Sequence, residues 1–209
     1  MKVLLVNGSP HRVGNTYLAL RKAADALEEQ GIETEFFWIG AKPIGGCMAC
    51  GGCAATHRCV MEDAVNTCAA RAAQADGFLF GTPVYYAGPA GNFCSFMDRL
   101  FYSCGGDGST FYFKPAAAVA VARRAGCTAA LDRVNKYFGC AQMPIVSSSY
   151  WDMAFGRTGG EVEQDGEGMQ TMTNLGRNMA WLLKCIQVGR SSGVALPECA
   201  RGQRTNFIR

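Results

Sequence analysis

Short apolar runs alternate along the chain with longer segments in which apolar residues recur every three or four positions. The runs fall at Lys2 to Val6, Thr34 to Ile39, Gly77 to Phe80, Ala116 to Ala122 and Met143 to Ser147, and their aliphatic and β-branched content between turn-forming residues predicts five strands. After the first run Tyr17, Leu20, Ala24 and Leu27 share one helical face, with Gly31 where a helix would end. Asp63 stands at an N-cap position before Val65, Cys68 and Ala72, and Phe93, Phe96, Met97 and Leu100 mark a third helix. A weaker pattern follows Gly126, and the clearest comes last, with Met169, Met172, Leu175, Met179, Leu182 and Ile186 at spacings of three and four. Strands that are apolar along their whole length and alternate with helices define an α/β class, doubly wound, with a parallel sheet covered on both faces. The stretch from Trp151 to Gly168 and the tail after Gly193 read as surface loop or partner contact.

A length of 209 residues is most economically one domain, 1–209, carrying a cysteine-rich loop at 45–62 and a C-terminal extension after about 190. The formal charge of +3 is scattered, with Arg123 and Arg124 the nearest approach to a cluster, so neither a nucleic acid nor a membrane surface is expected as partner. The opening apolar run "VLLV" is too short for a signal core or a membrane span, which makes a cytoplasmic location the expectation. Eleven cysteines change the picture more, because a reducing compartment disfavours structural disulfides and leaves metal binding or redox chemistry as their use.

The turn "VNGSPHRVGNT", residues 6 to 16, leads from the first strand into the first helix, at the ligand-binding end of an open α/β sheet. Unpaired amides and a positive dipole end favour an anion there, and Ser9, Asn15 and Thr16 can add donors while Gly8 and Gly14 permit a tight turn. Gly8 and Gly14 are one residue too far apart for a nucleotide-hydrolase loop, no lysine follows Gly14, and the dinucleotide fingerprint is absent. A turn that only caps the helix remains the alternative. With strand order 2-1-3-4-5, the loop after the third strand opens on the same crevice, where Pro83, Val84, Tyr85 and Tyr86 offer flat surface for a ring system, or else serve as core or interface aromatics.

Cys47, Cys50, Cys53 and Cys59 form the pattern C-x2-C-x2-C-x5-C. Two successive two-residue gaps bring three thiols together as in ferredoxin-type runs, so the compact run favours a [4Fe–4S] cluster, with zinc and free or redox-paired thiols as alternatives. His57 lies inside the loop with a surface or supporting role, and most of the other seven cysteines read as small buried residues.

The series "GSPHRVGNT", "GTPVYY", "DRLF" and "EGMQTMTNLGRNMAWLLK" resembles the NADPH-dependent FMN reductases, and with the cysteine run, more narrowly, the iron-sulfur flavoproteins. The resemblance covers the chain to about Lys184. It implies a flavodoxin-like three-layer sandwich with a five-stranded parallel sheet, order 2-1-3-4-5. It further implies FMN, with its phosphate at Ser9, Arg12, Gly14, Asn15 and Thr16 and its ring against Pro83, Val84, Tyr85 and Tyr86. The segment containing Arg123, Arg124 and Gly126 would reach the ring from the loop after the fourth strand, and the four cysteines would ligate the cluster. The expected activity is electron transfer between NAD(P)H or a ferredoxin and a small or protein acceptor, in a homodimer or homotetramer. A flavin or quinone reductase without a cluster, a non-enzymatic electron carrier and a zinc-stabilised binding module are the rivals.

Overall fold

The computed structural model describes residues 1–105, 110–200, 203 and 205. Strands β1 (Lys2–Asn7), β2 (Glu33–Trp38), β3 (Gly77–Tyr85), β4 (Gly88–Pro89), β5 (Ala116–Ala122) and β6 (Met153–Phe155) form the sheet. Its path is β2-β1-β3-β5-β6, parallel throughout, which is the expected order once β4 is set aside as a two-residue antiparallel return on β3. Helices α1 (Asn15–Glu29) and α5 (Gly166–Ser191) cover one face, and α2 (Ala64–Ala72), α3 (Gly91–Cys104) and α4 (Cys127–Cys140) cover the other. No helix among the described residues is long and apolar enough to cross a membrane.

Alternation along each strand divides the core. Val3, Leu5, Leu79, Val119 and Val121 meet Leu20, Leu27, Met172, Leu175 and Met179, while Leu4, Val6, Phe78 and Phe80 meet Phe93, Phe96, Leu100 and Phe138. In β5 the residues on this second face, Ala116, Ala118, Ala120 and Ala122, are all alanine, and the space they leave is filled by rings. Phe80 packs against Phe78, Phe101 and Phe138 at centroid separations of 5.9, 5.8 and 5.5 Å.

Two sequence expectations are corrected at the sheet edge. Residues 143–147 do not form the fifth strand: they make one isolated bridge, Ala116 to Ile145, with Ala116 N donating to Pro144 O and Val146 N to Ala116 O. Pro144 has no N–H to continue a ladder, and the chain leaves the sheet at 147–152 before returning as β6 on the upper half of β5. The stretch 151–168 is therefore not all loop. It holds β6, a 3-10 turn (Glu161–Gln164) and the cap of α5, where Asp165 accepts from Gly168 N at 2.9 Å and Phe155 N at 2.8 Å. A three-residue strand between glycines and polar residues carries too few positions to show a period.

Asp152, in this detour, has its Oδ1 shielded from solvent with no hydrogen-bond partner among the described residues, and burial pushes its pKa up to about 8. The unfolded carboxyl ionises near its ordinary value while the folded one stays protonated, so stability is lost as pH rises from about 4 to 8. Denaturant titrations across that range are expected to show the decline, and Asp152→Asn to flatten it.

Candidate flavin and metal site

Five loops meet at the carboxyl ends of the parallel strands. The first, after β1, is tied down from three directions. Asn7, buried at the strand end, donates through Nδ2 to His11 O and Arg12 O, both at 3.2 Å, and accepts from Ser9 N at 3.0 Å. Trp38 at the end of β2 donates to Ser9 O at 2.8 Å, and Gly8 N donates to Gly81 O at 2.8 Å. A Cβ on Gly8 would lie 2.3 Å from Phe93 Cδ2 and 2.8 Å from Gly81 O, so only glycine lets β1 turn this close to α3. Neither Asn7 nor Trp38 was singled out from the sequence. A buried asparagine at the end of an apolar strand was the available signal for the first.

The predicted anion-binding residues divide by role. Leu18 N to Gly14 O, 3.0 Å, is the first bond of α1, and no side chain caps the helix, so the amides of Asn15, Thr16 and Tyr17 lie ahead of the bonded turns. Ser9 and Thr16 are buried beside them, Ser9 Oγ accepting from His11 N at 3.1 Å. The Asn15 side chain is committed elsewhere: it donates to Thr158 O at 2.8 Å and accepts from Gly160 N at 2.9 Å and Val162 N at 3.4 Å, fixing the loop after β6. Gly14 is extended (φ −168°), a conformation open to any residue. Arg12, Arg123 and Arg124 are exposed and take part in no ion pair among the described residues. Bare amides at a helix start, a close-fitted glycine and uncommitted guanidinium groups are what a phosphate-bearing group requires.

Beyond β3 the chain folds back in a hairpin with Tyr86 and Ala87 at its tip, both at positive φ (49° and 58°). Pro83 and Val84 are half-buried, and Tyr85 and Tyr86 stand exposed. Gly126, at φ 92°, lies against this tip: a Cβ there would approach Ala87 Cα to 2.6 Å and Val84 Cγ1 to 3.0 Å. The loop bearing Arg123 and Arg124 thus packs directly on the proposed ring-binding surface. These loops give the concave end of the sheet a polar side at α1 and a flat apolar side at the hairpin.

The cysteine segment crosses in front of α3 and has no regular structure. All four cysteines line one depression of about 20 Å³ together with Arg99 and Tyr102. Cys47 and Cys50 are exposed, Cys53 and Cys59 half-buried. Among the described residues no three His, Cys, Asp or Glu groups are placed to hold a metal ion. His57 Nδ1 is shielded from solvent without a partner among the described residues. Four thiols around one depression, without competing carboxylates in its lining, match the donor set of an iron-sulfur cluster.

What holds the segment was not read from the sequence. Arg99, on α3, is 1% exposed and uses all five N–H groups: Nε on Cys59 Sγ at 3.2 Å, Nη1 on Gly45 O at 3.3 Å and Asp63 Oδ2 at 2.6 Å, and Nη2 on Met61 O at 3.0 Å and Asp63 Oδ1 at 3.1 Å. It therefore clamps the loop on both sides of the cysteine run. Asn66 of α2 adds a second grip, accepting from Cys59 N at 3.0 Å and donating to Cys59 O at 2.8 Å and Met61 O at 3.2 Å. Asn92 holds the approach, accepting from Ile44 N at 2.6 Å and donating to Lys42 O at 3.1 Å.

The remaining cysteines are a mixed group rather than mostly buried. Cys68, Cys104 and Cys127 are buried, Cys94 and Cys199 half-buried, Cys140 and Cys185 exposed. Burial pushes the Cys127 thiol up to about 11. Next to the cysteine depression and sharing Cys47 and Tyr102 with it lies a larger cavity of about 870 Å³, whose walls include Phe101, Phe111, Tyr112 and Tyr137.

Such a sheet, with its loops at the carboxyl ends around a topological switch point, defines a flavodoxin-like α/β protein. The chain belongs to the NADPH-dependent FMN reductase family, whose pattern it matches over residues 1–158, and is a flavin-dependent oxidoreductase. It is 31% identical over 201 residues to an iron-sulfur flavoprotein of Methanocaldococcus jannaschii, covering 90% of this chain and 100% of the relative. An iron-sulfur flavoprotein of Methanosarcina thermophila is 26% identical over 201 residues, covering 91% and 99%. In fold it is similar to a flavodoxin from the domain Archaea (TM-score 0.58, 15% identity, 88% of this chain and 99% of that one). It is also similar to RosB, solved with bound 8-demethyl-8-formylriboflavin-5'-phosphate (TM-score 0.62, 19% identity, 100% and 94%).

Proposed function

We propose that this protein is an FMN-dependent oxidoreductase of the iron-sulfur flavoprotein type, moving electrons between NAD(P)H or a ferredoxin and a small or protein acceptor through FMN and a [4Fe–4S] cluster. The observation that supports the cluster is that Cys47, Cys50, Cys53 and Cys59 all line one depression, behind a loop neck clamped by a buried arginine. When bound, FMN accepts a hydride or single electrons, and a cluster passes one electron at a time. The chain's own residues then have positional roles. The α1 amides and the Ser9 and Thr16 side chains would hold the phosphate, with Arg12 beside them. Pro83, Val84, Tyr85 and Tyr86 would flank the ring, with Arg123, Arg124 and Gly126 reaching it from the loop packed against them. Asn15 acts at one remove, through the loop it fixes. The cavity of about 870 Å³ adjoining the cysteine depression is the place where a small aromatic acceptor would come nearest the metal centre.

We read residues 1–209 as one such domain working in the cytoplasm. Exposed Tyr85 and Tyr86 beside the ring surface support completion of the pocket by a second copy in a homodimer or homotetramer; light scattering at micromolar concentration should return a multiple of the chain mass.

The deciding measurement is flavin, iron and sulfide per chain after anaerobic purification. About one FMN and about four irons and sulfides are expected. A second reading, a flavin or quinone reductase without a cluster, draws on the thiols not being grouped at metal-holding positions. FMN without iron after reconstitution would establish it. Zinc without FMN would favour a binding module, and flavin exchange without NAD(P)H turnover would favour a carrier.

A further inference from the structure

Arg99 is buried to 1% exposure in a position where its guanidinium group hydrogen-bonds a single sulfur among the described residues. Its Nε–H points at Cys59 Sγ, 3.2 Å away, while both terminal nitrogens face Asp63, at 2.6 and 3.1 Å. The remaining two N–H groups take Gly45 O and Met61 O, which brings together the two ends of the cysteine-bearing loop. A lysine could not do this: a point charge on a flexible stem has neither the planar fork for a carboxylate nor a separate N–H directed at a sulfur. The neck is thus fixed with Cys59 in place, while exposed Cys47 and Cys50 lie on the free part of the loop.

We propose that Arg99 is a positioning residue of the metal centre, holding Cys59 as its fixed ligand and tuning the reduction potential through the N–H···S bond, with Asp63 as the opposing charge. The inference rests on the four-cysteine cluster reading above and deepens it. Reduction adds one negative charge to a cluster, shared with its cysteinyl sulfurs. A cationic donor on one of those sulfurs stabilises the reduced form and raises the potential, and a carboxylate on the far side of the same guanidinium works against it. Removing either partner disturbs the same clamp, yet the two removals change the charge near Cys59 in opposite directions.

That opposition supplies the test. The full chain, Arg99→Gln, Arg99→Lys and Asp63→Asn are reconstituted anaerobically with iron and sulfide, their iron content measured, and the cluster titrated with dithionite while its spin resonance signal is followed. Asparagine keeps the N-cap acceptor that Asp63 gives to Val65 N, so α2 is retained. The expected result is a midpoint shifted down in Arg99→Gln, shifted down by less in Arg99→Lys, which keeps the charge but not the directed N–H, and shifted up in Asp63→Asn, with lower iron retention in both Arg99 variants. Midpoints that do not move, or that move the same way in Arg99→Gln and Asp63→Asn, would overturn the tuning role. Should Arg99→Gln fail to fold or load, the sign of the Asp63→Asn shift decides. An unsubstituted chain that binds FMN but takes up no iron would instead remove the cluster reading itself.

Discussion

Gly8→Ala is expected to lose FMN binding by at least about tenfold and to destabilise the fold by about 3 kcal/mol. The added Cβ would sit 2.3 Å from Phe93 Cδ2 and 2.8 Å from the Gly81 carbonyl oxygen. Phe93 cannot swing aside, because it is fully buried among the residues packed on that face of the sheet, and Gly81 O belongs to the neighbouring strand. Relief therefore requires the turn after β1 to back away, which lengthens the 2.8 Å bond from Gly8 N to Gly81 O and moves the start of α1. Flavin titration by fluorescence quenching, together with chemical denaturation of the apoprotein, separates the two effects. Unchanged affinity in a correctly folded variant would place the flavin phosphate elsewhere.

Asn66→Leu should be nearly as damaging while leaving the flavin end intact. The Asn66 amide satisfies both Cys59 N and Cys59 O, and Met61 O besides, from a position 3% exposed. Leucine fills the volume but leaves polar backbone groups without their partner, at about 1–3 kcal/mol for each one that water cannot reach. A loss of about 3 kcal/mol corresponds to a melting temperature lower by roughly 10 °C in a chain of this size. Iron uptake should fall with it, because the Cys59 peptide is no longer held from the α2 side, whereas FMN content per folded chain should not. Calorimetry and paired metal and flavin analyses check both statements.

The sequence shows the parts of this molecule that repeat a period. Alternating apolar runs and amphipathic segments place β1, β2, β5 and every helix, and Asp63 is found as the α2 cap because acceptor side chains before an apolar pattern have that one common use. What escapes is short or non-periodic. β6 has three residues, Pro144 breaks the ladder where a strand was expected, and the last part of β3 is a polar-looking continuation of an apolar strand. At the site, turn and cysteine spacing single out loops that the structure gathers at one end of the sheet, but not the residues that hold them. Arg99 occupies an otherwise apolar helix face and Asn66 looks like any helix asparagine, since a long-range hydrogen bond leaves no local trace. Asn15 shows the converse: its place beside the first turn suggests a ligand donor, and its side-chain amide is occupied by residues 158–162, which leaves its backbone N–H at the start of α1.

The clamp at the base of the cysteine loop also sets an order of events in the life of the chain. Its bonds run from protein to protein, from α3 and α2 to Gly45, Cys59 and Met61, and none of them depends on a metal. On the cluster reading proposed above, folding would finish before any iron is delivered, in contrast to small metal-nucleated modules that remain unfolded until loaded. A chain that took up a cluster would then do so as a finished receptacle, and on losing its iron would return to that receptacle instead of entering the pool of unfolded protein. While such a receptacle stood empty, exposed Cys47 and Cys50 would face the surroundings, so the stage most open to oxidative damage would be the wait for delivery, not synthesis.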